Sequence, residues 1–171
     1  MERVIADTGF VVALANRSDQ YHANVVPIYR QYPQIFLPQL VLVEVAYLIG
    51  RDAGIPTVVK FLQSLPDSRF ELVAAEDQDI ALARKPPARL KALSLYPQAF
   101  WRRQCCKLCA IGYIIRVASI LERYIDSKVD FVDACVMAMA ERLNILTILT
   151  IDQRDFRLFR PSHCESFTLL P

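Results

Sequence analysis

The chain has 171 residues, of which 54% are hydrophobic and 22% are charged, and its net charge is +2. This length fits one domain that can bury roughly two-thirds of its unfolded surface. The longest apolar runs contain Glu44 or Asp133 and are far shorter than the roughly 20 residues of a membrane span. The first strand-like run begins at residue 3 and leaves no room for a secretory leader, so we expect a cytoplasmic protein without membrane contact.

The predicted elements alternate between strands and helices along the chain. Apolar runs predict strands at residues 3–7, 34–37, 70–73, 147–151 and 167–170. Helical patterns and helix boundary signals predict helices at residues 10–16, 21–32, 39–51, 56–65, 76–83 and 114–124, and a last one that carries Asp133 and ends near residue 143. Few turn signals suit hairpins, so this order predicts a three-layer α/β fold around a mostly parallel central sheet.

The segment from about residue 84 to 113 breaks this alternation. Consecutive prolines at Pro86 and Pro87 end the preceding helix, and no sustained period follows, which indicates an insertion within a single domain of residues 1–171. Residues 80–121 contain eight Lys or Arg and no acid, which leaves 12 basic against 18 acidic residues elsewhere. The basic residues beside Phe100 and Trp101 suit RNA contact, but a functionally inert insertion is the favoured interpretation; these are Arg102, Arg103 and Lys107.

Four acids stand where a carboxylate is costly to bury. Asp7 closes the first apolar run, Glu44 interrupts an apolar helix, Asp133 lies early in another, and Asp152 ends the fourth predicted strand. An ionised carboxylate in such surroundings needs a cation or hydrogen-bond donors in place of water. Mg²⁺ and Mn²⁺ prefer such oxygen ligands. Singly, Asp7 or Asp152 is more often a turn or cap residue, whereas Glu44 and Asp133 have apolar neighbours on both sides.

The acidic residues lie in motifs that resemble a known family. The motifs are VIADTG at residues 4–9, Glu44 in its apolar helix, DFVDA at 130–134 and TIDQRDF at 150–156, followed by a C-terminal stretch from residue 159 to 171. Their order and spacing resemble PIN-domain nucleases, and most closely the VapC ribonuclease toxins of toxin–antitoxin pairs. The resemblance covers about residues 1–82 and 114–171, and the basic insertion is where this chain departs from the family.

The resemblance implies an α/β/α PIN-like fold and a metal-dependent endoribonuclease that hydrolyses RNA. Asp7, Glu44, Asp133 and Asp152 would be the catalytic and metal-binding residues, with Mg²⁺ as the ion and Mn²⁺ as its alternative. It also implies a homodimer and a cognate antitoxin protein that covers the acidic cleft. The alternative hypothesis is a catalytically inactive RNA-binding or interaction protein with the same fold.

Residues beside the four acids have more than one interpretation. Asp130, one helical turn before Asp133, suits either a residue that supports the metal ligands or a helix N-cap. Thr8 suits either a hydrogen bond to metal-bound water or a cap of the following helix. Asp155 could be a peripheral ligand, but a solvated side chain is the favoured interpretation.

Other kinds of site have little support in the sequence. The cysteines are odd in number and unevenly spread, which argues against a disulfide framework; they are Cys105, Cys106, Cys109, Cys135 and Cys164. The first three lack a fourth ligand nearby for a closed zinc site. His22 and His163 lack the neighbours of a catalytic triad, and four glycines do not form a phosphate-binding loop.

Overall fold

A computed structural model describes residues 2–74, 113, 115–127 and 129–171. The strands are β1 (Val4–Ala6), β2 (Ile35–Pro38), β3 (Phe70–Val73), β4 (Thr147–Leu149) and β5 (Thr168–Leu170). The helices are α1 (Thr8–Ala15), α2 (His22–Gln31), α3 (Gln39–Ala53), α4 (Ile55–Ser64), α5 (115–123), α6 (Phe131–Leu143) and α7 (Gln153–Leu158), and a 3₁₀ turn covers Leu65–Asp67.

The five strands form one parallel sheet in the order β3-β2-β1-β4-β5. In its centre, Val4, Ile5 and Ala6 pair with Thr147, Ile148 and Leu149. The predicted α/β fold with a parallel sheet is therefore confirmed. Because all strands run the same way, the residues that follow β1 and β4 meet at one edge of the sheet, where ligands of open α/β folds bind.

The central strands are apolar because both faces of the sheet are covered. Every residue of β1 is fully buried, and Ile148 and Leu149 of β4 are buried as well. Helix α6 is also surrounded by protein, since its residues from Ala134 to Ala140 are all buried. A continuous apolar run is typical of an element covered on all sides. Asp133 is therefore directly followed by the most deeply buried stretch of helix in the described chain.

The core-facing side of α3 differs from the sequence prediction. The helical pattern of residues 39–51 predicts that Leu40, Val41, Val43, Tyr47 and Leu48 supply the core. Only Val41 of that set is buried, together with Val45 and Ile49, whereas Val43 and Tyr47 are each 66% exposed. Two apolar stripes run along this helix, and only contacts with other elements decide which stripe is covered. The stripe spaced by four residues packs inward, and the other remains at the surface.

Some elements lie outside what the sequence predicted or what the structure describes. Helix α7 was not predicted, because its six residues, QRDFRL, are too few to show a helical period. The predicted helix at 76–83 lies outside the described residues, as does the insertion at 84–113 apart from Tyr113. In the described part of the chain, Cys135 and Cys164 are free thiols, and no helix is long and apolar enough to cross a membrane.

Gly9, in the first turn of α1, allows this helix to lie against the segment that follows β4. A Cβ atom at this position would stand 2.7 Å from Cγ1 of Ile151. We therefore expect Gly9→Ala to lower the free energy of unfolding by about 1–3 kcal/mol, measured by urea denaturation. Ile151→Ala removes the clashing atom, so the cost of Gly9→Ala should shrink in the Ile151→Ala background. An equal cost in both backgrounds would contradict this account.

Candidate acidic active site

Asp7 lies at the carboxyl edge of the sheet, directly after β1. Its backbone N–H continues the pairing with β4 by donating to the Leu149 carbonyl at 2.9 Å. This register sets Asp7 beside Thr150, whose hydroxyl donates to Oδ2 of Asp7 at 3.0 Å. Thr150 is fully buried and Asp7 is only 6% exposed. The carboxylate is therefore held in a fixed orientation by the neighbouring strand.

The environment of Asp7 disfavours its ionised form. The pKa of Asp7 is raised to about 6, mainly by burial and to a smaller extent by the charge of Glu44. The backbone N–H groups of Thr8 and Gly9 and the Thr150 hydroxyl act in the opposite direction on this pKa. These amides belong to the first turn of α1, where the helix dipole favours negative charge. The carboxylate thus lies where a cation would stabilise it.

Glu44 reaches the same region from the middle of α3. Its Oε2 accepts a hydrogen bond of 2.6 Å from the hydroxyl of Thr8, the residue that follows Asp7. Thr8 is itself buried, and Glu44 is partly buried. Thr8 is the first residue of α1 and follows the N-cap Asp7, so helix capping, one of the two roles left open for Thr8, is not the one it has in the structure. Its hydroxyl instead joins the two acidic positions.

Asp133 and Asp130 form a reciprocal cap at the start of α6. The Asp130 carboxylate accepts from the Asp133 N–H at 2.8 Å, and the Asp133 carboxylate accepts from the Asp130 N–H at 3.3 Å. The structure therefore shows Asp130 in the N-cap role, one of its two predicted alternatives. Burial raises the pKa of Asp133 to about 7, and the charges of Asp130, Asp7 and Asp155 contribute to the rise. Asp133 and Asp7 therefore lie close enough for their charges to interact.

Asp152 and Asp155 lie at the start of α7, with opposite exposure. Asp152 is exposed, and its carboxylate caps α7 by accepting from the Arg154 N–H at 3.3 Å. It is linked to Asp7 through Thr150, whose hydroxyl accepts from the Asp152 N–H at 3.1 Å. Asp155 is 7% exposed, so the expectation of a solvated Asp155 is wrong. It lies on the inner face of a helix that was not predicted.

Comparison with known proteins identifies the family. The sequence profile described as PIN domain matches residues 4–101, more than half of the chain. The chain belongs to the PIN domain family. The matched range contains Asp7 and Glu44, whereas Asp133 and Asp152 follow it. The family resemblance predicted from the acidic motifs is therefore confirmed.

The individual relatives include proteins named VapC and an assembly named VapBC. Ribonuclease VapC26 of Mycobacterium tuberculosis is 23% identical over 169 residues, which are 98% of this chain and 100% of the relative. The fold is similar to that of VapC20 of Mycobacterium tuberculosis, described as a sarcin–ricin loop cleaving toxin, with a TM-score of 0.60, 18% identity and coverage of 88% and 91% of the two chains. DNA-bound VapBC from Salmonella typhimurium gives a TM-score of 0.59 at 11% identity, covering 99% and 97%.

The side chains of this PIN domain suit a hard divalent cation in their chemistry. The side chains described above at the carboxyl edge of the sheet offer carboxylate and hydroxyl oxygens as metal ligands, and Mg²⁺ and Mn²⁺ prefer such ligands. A buried carboxylate oxygen, Oδ1 of Asp155, has no hydrogen-bond partner among the described residues. Yet no three acidic, histidine or cysteine side chains in the described ranges are grouped closely enough to hold an ion. The type of ligand atom therefore fits the ion, but the carboxylates would have to move closer to one another to coordinate it.

Thr150 is a residue whose role the sequence did not reveal. Its hydroxyl satisfies a buried carboxylate oxygen, so Thr150→Val should lower the free energy of unfolding by about 1–3 kcal/mol. The effect should be largest above about pH 6, where Asp7 is ionised. Thr150→Ser keeps the hydroxyl and is the matched control. Urea denaturation at pH 8 measures the difference, and equal losses for the two variants would show that the hydroxyl is unimportant.

Proposed function

We propose that this chain is a Mg²⁺-dependent endoribonuclease, the toxin of a toxin–antitoxin pair, which hydrolyses RNA phosphodiester bonds. The observation that carries the proposal is that Asp7, Glu44 and Asp133, from three separate elements, interact at the carboxyl edge of the sheet. Thr8 joins the first two, and the charge of Asp7 acts on Asp133. Membership of the PIN domain family and the similarity to VapC26, a ribonuclease, support the same activity.

In the proposed mechanism, the chain's own residues hold and orient the ion's ligands. Asp7, Glu44, Asp133 and Asp152 would bind Mg²⁺ or Mn²⁺, and Asp130 would keep Asp133 in place through its cap. Thr150 fixes Oδ2 of Asp7, and Thr8 fixes Oε2 of Glu44. When bound, a divalent ion activates water as a nucleophile and offsets negative charge at the phosphate. The raised pKa values of Asp7 and Asp133 indicate carboxylates that gain most from such a charge.

The proposed antitoxin partner has support from both comparison and surface. The similar Salmonella typhimurium structure is a VapBC assembly. A groove of about 660 Å³ is lined by residues of α3, α5 and α6 and by the end of β3; α3 and α6 are the helices that carry Glu44 and Asp133. Exposed apolar side chains line it, including Val43 at 66% and Phe131 at 55%. We propose that an antitoxin segment occupies this groove and places a basic side chain among the carboxylates. A homodimer is proposed from the family resemblance alone.

The experiment that tests the activity is cleavage of structured RNA by the purified chain, with Mg²⁺, with Mn²⁺ and with a chelator. Cleavage that requires a divalent ion supports the proposal. RNA binding without cleavage in all three conditions would favour the catalytically inactive protein instead. The observation that favours this alternative is the spacing of the carboxylates, because no three of them are grouped around one point in the described residues. An RNA-binding assay run in parallel separates the two functions.

A further inference from the structure

Exposed arginine side chains recur along α7 and at the end of α5. Arg154, Arg157 and Arg160 stand at every third residue from α7 to the segment just beyond it, and Arg123 is the last residue of α5. All of them are exposed, whereas Phe156 of the same helix is buried. Residues three apart are neighbours on the surface of a helix, so Arg154 and Arg157 share its outer face. We call these four residues the arginine surface.

Tyr124 brings the two parts of the arginine surface together. Its hydroxyl accepts from the Arg160 N–H at 3.0 Å, and the guanidinium of Arg123 lies 5.7 Å from the centre of its ring. The ring of Tyr124 packs against buried Phe159, with 5.6 Å between the ring centres. The Arg160 guanidinium donates to the Arg157 carbonyl at 2.8 Å, which fixes it at the end of α7. The arginines of two separate elements are therefore held on one surface.

The arginine surface has no acidic partner within the part of the chain that the structure describes. Both salt bridges found there involve other arginines, Arg51 and Arg116. Arg157 donates instead to the neutral amide of Gln153 at 2.5 Å, and Arg160 donates to backbone carbonyls. A guanidinium carries five N–H donors, so most donors of this surface remain available to a ligand. Positive charges grouped in this way attract an anion.

The arginine surface begins beside the acidic site. Helix α7 starts after its N-cap Asp152, whose N–H donates to the Thr150 hydroxyl, and the same hydroxyl donates to Asp7. Arg154 is the second residue after that N-cap, and the six residues of α7 extend about 9 Å from it. The carboxylates of the site repel the phosphates of a nucleic acid. Positive charges next to the carboxylates offset this repulsion.

We propose that the arginine surface binds the phosphate backbone of RNA and holds the strand where it passes over the acidic site. This inference rests on the proposed ribonuclease function and names where the substrate is held. Arginine forms bidentate hydrogen bonds with phosphate, and such contacts position a strand without reading its bases. An acidic protein segment would satisfy the same charges. The position of the surface favours RNA, because it adjoins the carboxylates that would act on a phosphodiester.

The test is binding of a fluorescently labelled single-stranded RNA to the full chain in a chelator, measured by anisotropy at several salt concentrations. The arginine pair variant carries Arg154→Gln and Arg157→Gln, which keep polar side chains and remove two charges. Each lost phosphate contact should lower the slope of log Kd against log salt concentration by about 0.7. The pair variant should therefore lose about 1.4 in slope and bind about 10-fold more weakly at about 0.15 M salt.

The matched control variant carries Arg17→Gln and Arg30→Gln, which remove two exposed arginines elsewhere. Arg17 follows the C-terminal end of α1, whose N-terminal end carries Thr8, and Arg30 lies in the last turn of α2. This control should bind RNA as wild type does.

A charge-keeping variant with Arg154→Lys and Arg157→Lys should retain most of the salt dependence, because lysine still pairs with phosphate as a point charge. Thermal melting shows whether each variant is folded. If the glutamine pair melts below the control, the single variants Arg154→Gln and Arg157→Gln replace it, each with half the change in slope.

The outcomes separate this inference from the proposed function. If wild type cleaves RNA with a divalent ion and the arginine pair variant binds RNA with the affinity and slope of wild type, the arginine surface is refuted while the nuclease stands. An equal loss in the control variant, or a wild type that does not bind RNA, also refutes it. If only the arginine pair variant loses RNA binding but wild type cleaves no RNA, the surface stands and the proposed cleavage fails. A polyglutamate of equal length that binds wild type more tightly than RNA would assign the surface to an acidic protein segment and overturn the proposal.

Discussion

Replacing Asp7 with asparagine should reduce RNA cleavage by about 10³-fold at saturating Mg²⁺. The carboxylate is buried, fixed by Thr150 and coupled to Glu44 and Asp133, so its loss would remove a central ligand of the proposed ion. Metal stabilisation of the transition state amounts to several kcal/mol, and about 1.4 kcal/mol corresponds to a factor of ten in rate. Initial rates on one defined RNA, measured under single-turnover conditions, check this value.

The control for Asp7→Asn is Asp126→Asn, which makes the same chemical change on an exposed acid. Its cleavage rate should equal that of wild type. The asparagine at position 7 keeps the size of the side chain and removes a destabilised charge, so the metal-free variant should be at least as stable as wild type. Loss of cleavage combined with unfolding would be uninformative, whereas a stable variant that cleaves within about threefold of wild type would remove Asp7 from the mechanism.

The second large effect is the pH dependence of stability in the absence of metal. Asp7 has its folded-state pKa raised from 3.8 to about 6, and Asp133 has it raised to about 7. Between pH 4 and these values the folded chain binds more protons than the unfolded chain. The free energy of unfolding therefore falls as pH rises through this range. For Asp7 alone the loss amounts to about 3 kcal/mol, since one pKa unit corresponds to about 1.4 kcal/mol.

Divalent metal should reverse this loss. An ion that binds only the folded chain stabilises it by mass action, and it competes with the protons that Asp7 and Asp133 otherwise hold. Chelator-treated protein should thus be less stable at pH 8 than at pH 5, and millimolar Mg²⁺ should raise stability at pH 8 but little at pH 5. Urea denaturation at the two pH values measures both. A double variant with Asp7→Asn and Asp133→Asn should show neither dependence, and a wild-type profile in that variant would refute the assignment.

The parts of the fold that could be predicted from the sequence are the segments whose residues fit only one degree of burial. Strand β1 and helix α6 are apolar on all sides, so their sequences fit only a covered element. Helix α3 carries two apolar stripes, and the covered stripe depends on the elements it meets. The sequence consequently predicts Val43 and Tyr47 in the core, although both are exposed. The register of β1 and β4, which brings Thr150 to Asp7, likewise depends on contacts between distant segments.

The candidate site was predicted in its composition rather than in its arrangement. Asp7, Glu44 and Asp133 stood out because each interrupts or ends an apolar run. The sequence favours a solvated Asp155 because the QRDFRL segment is too short to show a helical period, and only the inward face of α7 shows that this side chain is buried. Asp130 remained open between two roles because a cap and a residue near metal ligands have the same spacing from Asp133. No sequence pattern pointed to the Thr8–Glu44 hydrogen bond.

The central claim is that carboxylates from separate elements bind one divalent ion at the carboxyl edge of the sheet. Anomalous diffraction from crystals of the wild-type chain soaked in Mn²⁺ tests it most directly. We predict a Mn²⁺ peak with carboxylate oxygens of Asp7 and Asp133 about 2.0–2.2 Å away and Glu44 in the same coordination sphere or one water beyond it. A peak elsewhere on the molecule, or none at saturating Mn²⁺, would contradict the claim.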